Sequence, residues 1–211
     1  MEQMAQFWDR SAERYAKSQV KDLKSFTYTM GRTRSYLRPT DLVLELGAGT
    51  GSTAIELASS VAHITATDIS PEMIRIGREK AQDQRVANID FVVSESAVPS
   101  LTGPYDVVLA HNLLHLVEDL PTTLERVHTL LKPGGLLISK TFCKPKGLGT
   151  PYYYFIRLAL PLMQAFGKAP FVAMLSIEEL EQSIASTGFD LVEKGDLPMK
   201  DVRRYIVARK A

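Results

Sequence analysis

Short apolar runs alternate with amphipathic stretches along most of the chain. From residue 41 onward the runs are LVLEL (42–46), HITAT (63–67), IDFVV (89–93), YDVVLA (105–110) and LLISKTF (136–142). Nearly continuous apolar and β-branched residues are typical of strands buried on both faces of a parallel sheet. The amphipathic stretches between the runs predict helices. The pattern therefore indicates repeated strand–helix–strand units with helices on both faces of one sheet.

Several of the predicted helices have recognisable ends. Ser70 is a suitable N-cap, because a proline and an acid follow it at the positive end of the helix dipole. Ser176 opens a capping box, and Gly188 is a natural stop for the helix that follows. The helix LERVHTLL is expected to stop at Lys132, since a proline comes next and disfavours helical backbone there.

The last two apolar runs follow a different rule. FDLVEK (189–194) and VRRYIVAR (202–209) are separated only by GDLPMKD, which is too short for a helical crossover. They therefore predict an antiparallel hairpin. The expected fold is α/β: a Rossmann-like seven-stranded sheet with a C-terminal antiparallel hairpin and helices on both faces.

Length and charge narrow the class of protein. The chain has 211 residues, 45% of them hydrophobic, which suits a single domain with a sizeable core. Lysine and arginine number 25 against 24 aspartates and glutamates, for a formal net charge of +1. A nucleic-acid-binding protein usually has a basic excess or a basic stripe, so no nucleic acid partner is expected.

The sequence also indicates a cytoplasmic protein. A single cysteine, Cys143, excludes a disulfide framework within the chain and suits a reducing compartment. The opening MEQMAQFWDRSAERY is charged and unlike a signal peptide, and no run reaches the roughly 18 apolar residues of a membrane helix. Stable membrane insertion is therefore not expected.

Candidate chemistry starts at ELGAGTG (45–51), between the first strand and the first helix that follows it. Glycines there allow a tight turn and let backbone N–H groups meet a ligand at the helix N-terminus. Dinucleotide-binding folds use G-x-G-x-x-G at this place, whereas here the third glycine, Gly51, comes one residue early and Ser52 takes its position. Asp68 ends the second strand, at the usual interval of about twenty residues.

These residues resemble the class I S-adenosylmethionine (SAM)-dependent methyltransferases, whose signature is an acid, one residue and G-x-G-x-G, then an acid ending strand two. The resemblance covers nearly the whole chain and is strongest to the ubiquinone/menaquinone-biosynthesis C-methyltransferases. FWDRSAERYA is similar to their opening helix, and LLKPGGLLISKTFCKP to their fifth-strand segment. The resemblance implies a single domain with N-terminal cap helices (1–40), a SAM-binding core (41–143), an insertion or lid (144–175) and a final helix and hairpin (176–211).

The resemblance also implies site residues. The glycine turn would pack against the methionine and ribose end of the cofactor, and Asp68 would accept both ribose hydroxyls. Glu45 would orient the turn and face the methionyl ammonium. The alternative is that Glu45 only interacts with the dipole of the following helix, which would contribute about 0.3–1 kcal/mol to stability. One carboxylate can do both. The implied cofactor residues are Tyr15, Glu45, Gly47, Ala48, Gly49, Gly51, Asp68, Ile69, Met73, Glu95, Ser96, His111 and Asn112.

Some of these assignments keep an alternative. Ile69 and Met73 would flank the adenine, but Met73 at helical spacing fits the core equally well. Glu95 stands where relatives carry an aspartate for the adenine amino group, with Ser96 after it, and a solvent-facing Glu95 is the other interpretation. Tyr15 belongs to the opening helix, which folds over the cofactor in relatives.

Two histidines follow strand four. His111 and Asn112 leave its carboxyl end, where ligands bind in open α/β sheets, and would line the methionine side. His115 stands where the quinone-methylating relatives have an arginine. It is either a base near the acceptor or a partly buried histidine under the cofactor, and His111 is the other candidate base. A zinc site on one helical face would need a third ligand that the sequence does not supply, so no metal is expected.

The acceptor is expected to be a small, apolar or aromatic molecule. Acceptor specificity in the family comes from the N-terminal helices and the insertion, here TPYYYFIRLALPLMQAFGKAPFVAML (150–175), rich in tyrosine and large apolar groups. This segment is interpreted as a lid packed on the sheet or an apolar acceptor pocket, with transient membrane-surface contact as the alternative.

The function expected is methyl transfer from SAM, with S-adenosylhomocysteine (SAH) as product. Two alternatives stay open. One is an NAD(P)-binding oxidoreductase, disfavoured by Ser52 in place of the third glycine. The other is a SAM-binding module without catalytic activity.

Overall fold

The architecture is a seven-stranded sheet with the order β3-β2-β1-β4-β5-β7-β6. A computed structural model describes residues 2–18, 22–94, 101–145, 159–164, 167–196 and 203–211. Its strands are β1 (Leu42–Leu46), β2 (His63–Asp68), β3 (Ile89–Val93), β4 (Tyr105–His111), β5 (Leu131–Phe142), β6 (Phe189–Asp196) and β7 (Arg203–Lys210). Its helices are α1 (Glu2–Lys17), α2 (Leu23–Arg34), α3 (Ser52–Leu57), α4 (Pro71–Asp83), α5 (Leu120–Leu130) and α6 (Ile177–Ser186), with 3-10 turns at Ala58–Ser60 and Leu114–Leu116.

The predicted fold class is confirmed. Strands β1 to β5 pair in parallel, and β7 lies antiparallel to both β5 and β6. Each face of the sheet has its own apolar core. Helices α2, α3 and α4 cover one face, on which Val43, Leu109 and Ile138 are buried, and α5 and α6 cover the other.

The predicted helix ends are also present. The Ser70 side chain accepts a hydrogen bond from the Met73 N–H, and Ser176 forms a complete capping box. Gly188 follows helix α6 with φ +87°, a conformation that side chains rarely adopt.

One strand begins earlier than the apolar pattern indicates. Helix α5 ends at Leu130, and β5 starts at Leu131, five residues before the predicted run at 136. Leu131 pairs with Tyr105, and the register then shifts so that Val107 pairs with Leu136. The polar KPGG stretch hid this part of the strand, because a strand at the irregular end of a sheet needs no apolar side chains.

Helix α1 packs on helix α4 beside the carboxyl end of β2. Ala12 of α1 is buried against Met73 and Ile76 of α4, with Trp8 packed at the edge of the cluster. The Asp9 carboxylate accepts hydrogen bonds from the Ser70 hydroxyl and the Glu72 N–H. The opening helix is therefore attached to the turn that follows Asp68.

Parts of the predicted site and insertion lie outside the described residues. These are Glu95, Ser96 and the tyrosines at 152–154. In the described part of the insertion, residues 159–164 are helical, and Leu162 and Met163 are exposed. Among the described residues, no helix combines the length and apolar character needed to cross a bilayer. The cytoplasmic location stays a prediction.

Two helical glycines offer a matched test of the packing. At Gly77 of α4 an added Cβ would lie 2.6 Å from the Phe91 ring, whereas at Gly31 of α2 nothing lies within 4 Å. Gly31→Ala should raise the free energy of unfolding by about 0.5–1 kcal/mol through helix propensity. Gly77→Ala should lower it by about 1–3 kcal/mol through overpacking. Urea unfolding measures both, and an equal gain in the two variants would contradict the described packing of α4 on β3.

Candidate functional site

A cavity of about 1110 Å³ opens at the carboxyl ends of β1, β2, β4 and β5. A drug-sized ligand occupies a pocket of roughly 300–1,000 Å³, so this space can hold a cofactor with a small second ligand. Most of the predicted site residues that the structure describes line it: Tyr15, Glu45, Gly47, Ala48, Gly49, Asp68, Ile69, Met73, His111, Asn112 and His115. Parallel strands bring these positions together because their carboxyl ends share one edge of the sheet.

The three glycines of the turn all have positive φ, but they are glycines for different reasons. A Cβ on Gly47 would lie 2.8 Å from the Leu113 side chain, and one on Gly51 would lie 2.6 Å from the Phe91 ring. At Gly49 the nearest atom would be a Tyr15 ring carbon, 3.9 Å away. The protein's own packing therefore requires two of the glycines, and Gly49 is the one that faces open space.

Gly51 is consequently set apart from the other predicted cofactor residues. It is the N-cap of helix α3 and packs against Phe91 and Gly77, and the described cavity wall does not include it. Its assignment as a cofactor residue stays a prediction, and the observed contacts give a structural reason for the glycine.

Glu45 is a buried carboxylate with one oxygen left open. Its carboxyl accepts hydrogen bonds from the Thr53 hydroxyl and the Ala54 N–H at the start of α3, the helix-dipole contact expected from the sequence. Its Oε2 atom has no hydrogen-bond partner, although the residue is only 2% exposed. Burial raises the pKa of Glu45 to about 8. Without a neighbouring cation the carboxyl therefore stays mostly protonated at neutral pH, and a cationic ligand group beside it would favour the carboxylate.

Asp68 holds two turns together. Its Oδ2 accepts the Gly49 N–H at 2.8 Å, and its Oδ1 accepts the Ser70 N–H at 2.9 Å. Burial is the main cause that raises its pKa. A carboxylate has about four acceptor positions, so the backbone hydrogen bonds do not use all of them. Because Asp68 also lines the cavity, it is a candidate acceptor for ligand hydroxyls.

Met73 lies both in a buried cluster and on the cavity wall, and its contact with adenine stays a prediction. It is 2% exposed in the cluster with Ala12 and Ile76, and it also forms part of the cavity wall. Tyr15 of helix α1 reaches over Gly49 and lines the same cavity, with about half of its surface exposed.

The two histidines occupy different environments. His111 ends strand β4 and is 7% exposed, and neither ring nitrogen has a partner; burial lowers its pKa to about 3. His115 lies in the 3-10 turn, with its ring 6.1 Å from the Phe142 ring and its Nδ1 without a partner. Burial, followed by the charge of Arg203, lowers the pKa of His115 to about 4.

The zinc alternative does not fit this geometry. A strand residue and a residue of a 3-10 turn cannot share one helical face, as the spacing of four would require. Within the ranges that the structure describes, no three histidine, cysteine or acidic side chains are grouped as metal ligands. Cys143 is fully buried in the core.

Sequence reasoning missed the side chains at the far end of the cavity. Lys140 of β5 and Arg203 of β7 line it, with Asp22 and Ser25 from the start of α2. Lys140 interrupts the apolar run LLISKTF, and this interruption was the available signal. Arg203 could not be found from spacing, because it reaches the cavity only through the pairing of β7 with β5.

The sheet order, the glycine turn and the acid after β2 define the fold of class I SAM-dependent methyltransferases. Residues 44–137 match the family model described as a methyltransferase domain. Magnesium protoporphyrin IX methyltransferase from Synechocystis PCC 6803, solved with bound SAH, superposes with a TM-score of 0.73 at 23% identity, over 99% of this chain and 96% of that one. The [4+2]-cyclase SpnF superposes with a TM-score of 0.74 at 15% identity, over 92% and 83%.

Curated relatives match over part of their length. Demethylmenaquinone methyltransferase of Tropheryma whipplei (strain Twist) is 32% identical over 120 residues, 56% of this chain and 49% of that protein. The hybrid PKS-NRPS synthetase iccA of Talaromyces variabilis is 30% identical over 156 residues, 70% of this chain and 4% of that protein. The chain thus spans about half of the first relative and a small part of the second. These findings bear out the predicted resemblance: the chain has the fold of the class I SAM-dependent methyltransferases, and residues 44–137 match a methyltransferase domain. They do not favour the NAD(P)-binding alternative.

The raised pKa of Glu45 predicts a pH-dependent stability. Between its ordinary 4.5 and about 8, the folded state keeps a proton that the unfolded state releases, so this group lowers stability as pH rises through that window. Glu45→Gln keeps the acceptor for Thr53 and Ala54 and removes the titration. From pH 5 to pH 8, its free energy of unfolding should improve relative to wild type by more than about 1 kcal/mol.

Urea unfolding at several pH values measures this difference. The control is Glu125→Gln on the exposed side of α5, which removes a carboxylate outside the cavity. A Glu45→Gln difference that does not change with pH would show that the buried group is ionised throughout.

Proposed function

We propose that this chain binds SAM in the cavity and transfers its methyl group to a small-molecule acceptor, releasing SAH. The observation that carries the proposal is the buried, unpartnered Oε2 of Glu45, a residue that lines the same cavity as the uncrowded Gly49 and the Asp68 carboxylate one strand away. An ammonium and a pair of vicinal hydroxyls are the groups that these two acids suit. SAM carries both groups.

When bound, SAM supplies a methyl group on a sulfonium whose positive charge disappears on transfer. The protein's task is to hold two reactants close and aligned. Glu45 would hold the ammonium, Asp68 the ribose, and Ile69 and Met73 the sides of the adenine. Glu95 and Ser96 stay predictions for the adenine edge, since they lie outside the described residues.

His115 is the better placed of the two candidate bases. It is partly exposed and lines the cavity, and its lowered pKa keeps it neutral near pH 7. It can therefore accept a proton from an acceptor that must lose one. His111 is more deeply buried and its pKa is lower still, so it is the weaker base.

The acceptor side of the cavity supports an aromatic or apolar molecule. Phe26, Met30 and Phe142 line the wall around the polar groups. The names of the similar proteins, a demethylmenaquinone methyltransferase and a magnesium protoporphyrin IX methyltransferase, agree with a large conjugated acceptor. The insertion (144–175) contributes no described residue to the wall, so its role as a lid, pocket or membrane contact stays open.

A shared fold does not decide the activity, as the superposition on a [4+2]-cyclase illustrates. A non-catalytic SAM-binding module stays the second candidate. It predicts SAH binding without methyl transfer. Incubation with methyl-labelled SAM and a panel of aromatic acceptors distinguishes the two, because only the enzyme produces SAH together with a labelled acceptor.

Isothermal titration with SAH tests the cofactor site. Wild-type protein should bind SAH, and Asp68→Asn should weaken binding about 10- to 100-fold, because hydrogen bonds to a charged acceptor contribute about 1.5–3 kcal/mol. Asp83→Asn, on the exposed end of α4, is the control and should bind like wild type. Circular dichroism checks that Asp68→Asn keeps its fold. No binding to the wild type, or full affinity in Asp68→Asn, would refute the site.

His115→Asn tests the base. With an acceptor that loses a proton, kcat should fall about 10²- to 10⁴-fold while SAH affinity stays within about twofold. His63→Asn, at the start of β2 and outside the described cavity wall, should leave both unchanged. Unchanged kcat in His115→Asn would assign the ring to packing against Phe142.

A further inference from the structure

Lys140 is a buried cation in the middle of the sheet. It lies on β5 between β4 and β7, paired with His111 on one side and Tyr205 on the other, and is 7% exposed. Buried lysines are rare unless a partner compensates the charge. The surroundings of Lys140 therefore indicate what it binds.

The protein itself gives Lys140 little compensation. Its Nζ lies 3.5 Å from the Thr29 hydroxyl, which in turn donates to the Ser25 carbonyl. No carboxylate of the described residues forms an ion pair with it. Asp22 attracts it from a distance, but the Asp22 oxygens already accept the Ser25 N–H and hydroxyl. An ammonium has three donors, so at least two have no protein acceptor among these groups.

The same part of the cavity carries a second cation and a neutral donor. Arg203 starts β7 and pairs with Phe142, two residues beyond Lys140, so both cations lie on one face of the sheet. The Arg203 guanidinium donates to Asn112 Oδ1 at 3.1 Å. His111, paired with Lys140, has both ring nitrogens without partners. We call Lys140, Arg203 and His111 the basic wall.

The basic wall is separate from the acids of the cofactor site. Glu45 pairs with Leu109 on the same sheet face, and two strand spacings, roughly 10 Å, separate its strand from that of Lys140. The strands of Asp68 and Arg203 are four spacings apart, roughly 19 Å. The charges that act on Lys140 are those of Arg203 and Asp22. The cavity therefore has an acidic end and a basic end.

Resting on the function proposed above, we infer that the methyl acceptor carries an anionic oxygen, a carboxylate or an ionised phenol or enol, which Lys140 binds at the basic wall. His111 and Arg203 add a donor and a second positive charge. The acceptor is then an amphipathic molecule: an aromatic or apolar body against Phe142 and Phe26, with an acidic group at one end. Cofactor cation and acceptor anion then lie toward opposite ends of one cavity, and each is attracted most strongly to the end of opposite charge.

A purely structural lysine does not explain the arrangement. An apolar side chain at this position would pack under α2 without desolvating a charge, and burying a charge without a partner destabilises a fold. Burial, then Arg203, lowers the Lys140 pKa to about 8, so the side chain stays mostly protonated at neutral pH. It is therefore a binding cation there, and His115 remains the neutral base.

Matched aromatic probes test the inference on SAH-loaded protein at pH 7. The probes are 2-naphthoate, 2-naphthol and the neutral isostere 2-naphthamide, titrated by ligand-observed NMR. Wild-type protein should bind naphthoate at least about tenfold more tightly than naphthamide. Lys140→Met should abolish this preference and Lys140→Arg should keep part of it. Lys132→Met, at the far end of β5 in an ion pair with Asp106, should keep all of it.

The outcomes separate the two proposals. If SAH fails to bind wild type, the cofactor site is wrong. Suppose that SAH binds wild type and Lys140→Met equally. If naphthoate and naphthamide then bind wild type with the same affinity, or neither binds, the basic wall does not bind an anionic group. A preference that survives in Lys140→Met overturns the role of Lys140. 2-Naphthol is neutral at pH 7, so tighter binding of naphthol than of naphthoate would contradict an anion subsite. Should Lys140→Met not fold, Lys140→Gln replaces it, and the wild-type comparison is decisive alone.

Discussion

The Asp68 carboxylate joins the parts of the molecule that form the cofactor end of the cavity. It receives the Gly49 N–H from the turn after β1 and the Ser70 N–H from the turn after β2. Ser70 in turn donates to Asp9 of helix α1. One acid therefore fixes the glycine turn, the start of α4 and the position of the covering helix. Asp68 also lines the cavity, so the group that preorganises the two turns is the one proposed to contact the ligand.

The sheet order distributes charge along this edge. From β2 to β7 the residues at the carboxyl edge change from the acids Asp68 and Glu45, through the neutral His111, to Lys140 and Arg203. Neighbouring strands are about 4.8 Å apart, so replacing the charged residue on one strand shifts the border between the acidic and the basic residues by about that distance. Parallel strands make such a gradient easy to build, since each contributes one residue to the same edge.

Much of this structure could be predicted from the printed sequence, for physical reasons. Strands buried on both faces must be apolar, which made β1 and β4 easy to find, and Asp68 followed from a fixed spacing after the turn. The early start of β5 was missed, because KPGG has no strand pattern. The structural reason for a glycine at position 51 was also missed. Phe91, which leaves no room for a side chain there, lies forty residues later in the chain.

The residues at the acceptor end of the cavity could not be predicted from the sequence, for a different reason. Lys140, Arg203 and Asp22 come from three distant segments, and only strand pairing and the packing of α2 bring them to one wall. The cofactor end is set by a local motif, and its fold is shared with proteins of different names. What distinguishes this chain chemically is therefore the end that has no motif. A buried lysine is unfavourable in an empty cavity and favourable once an anion binds it, so the choice of acceptor and the folding of the sheet constrain the same residue.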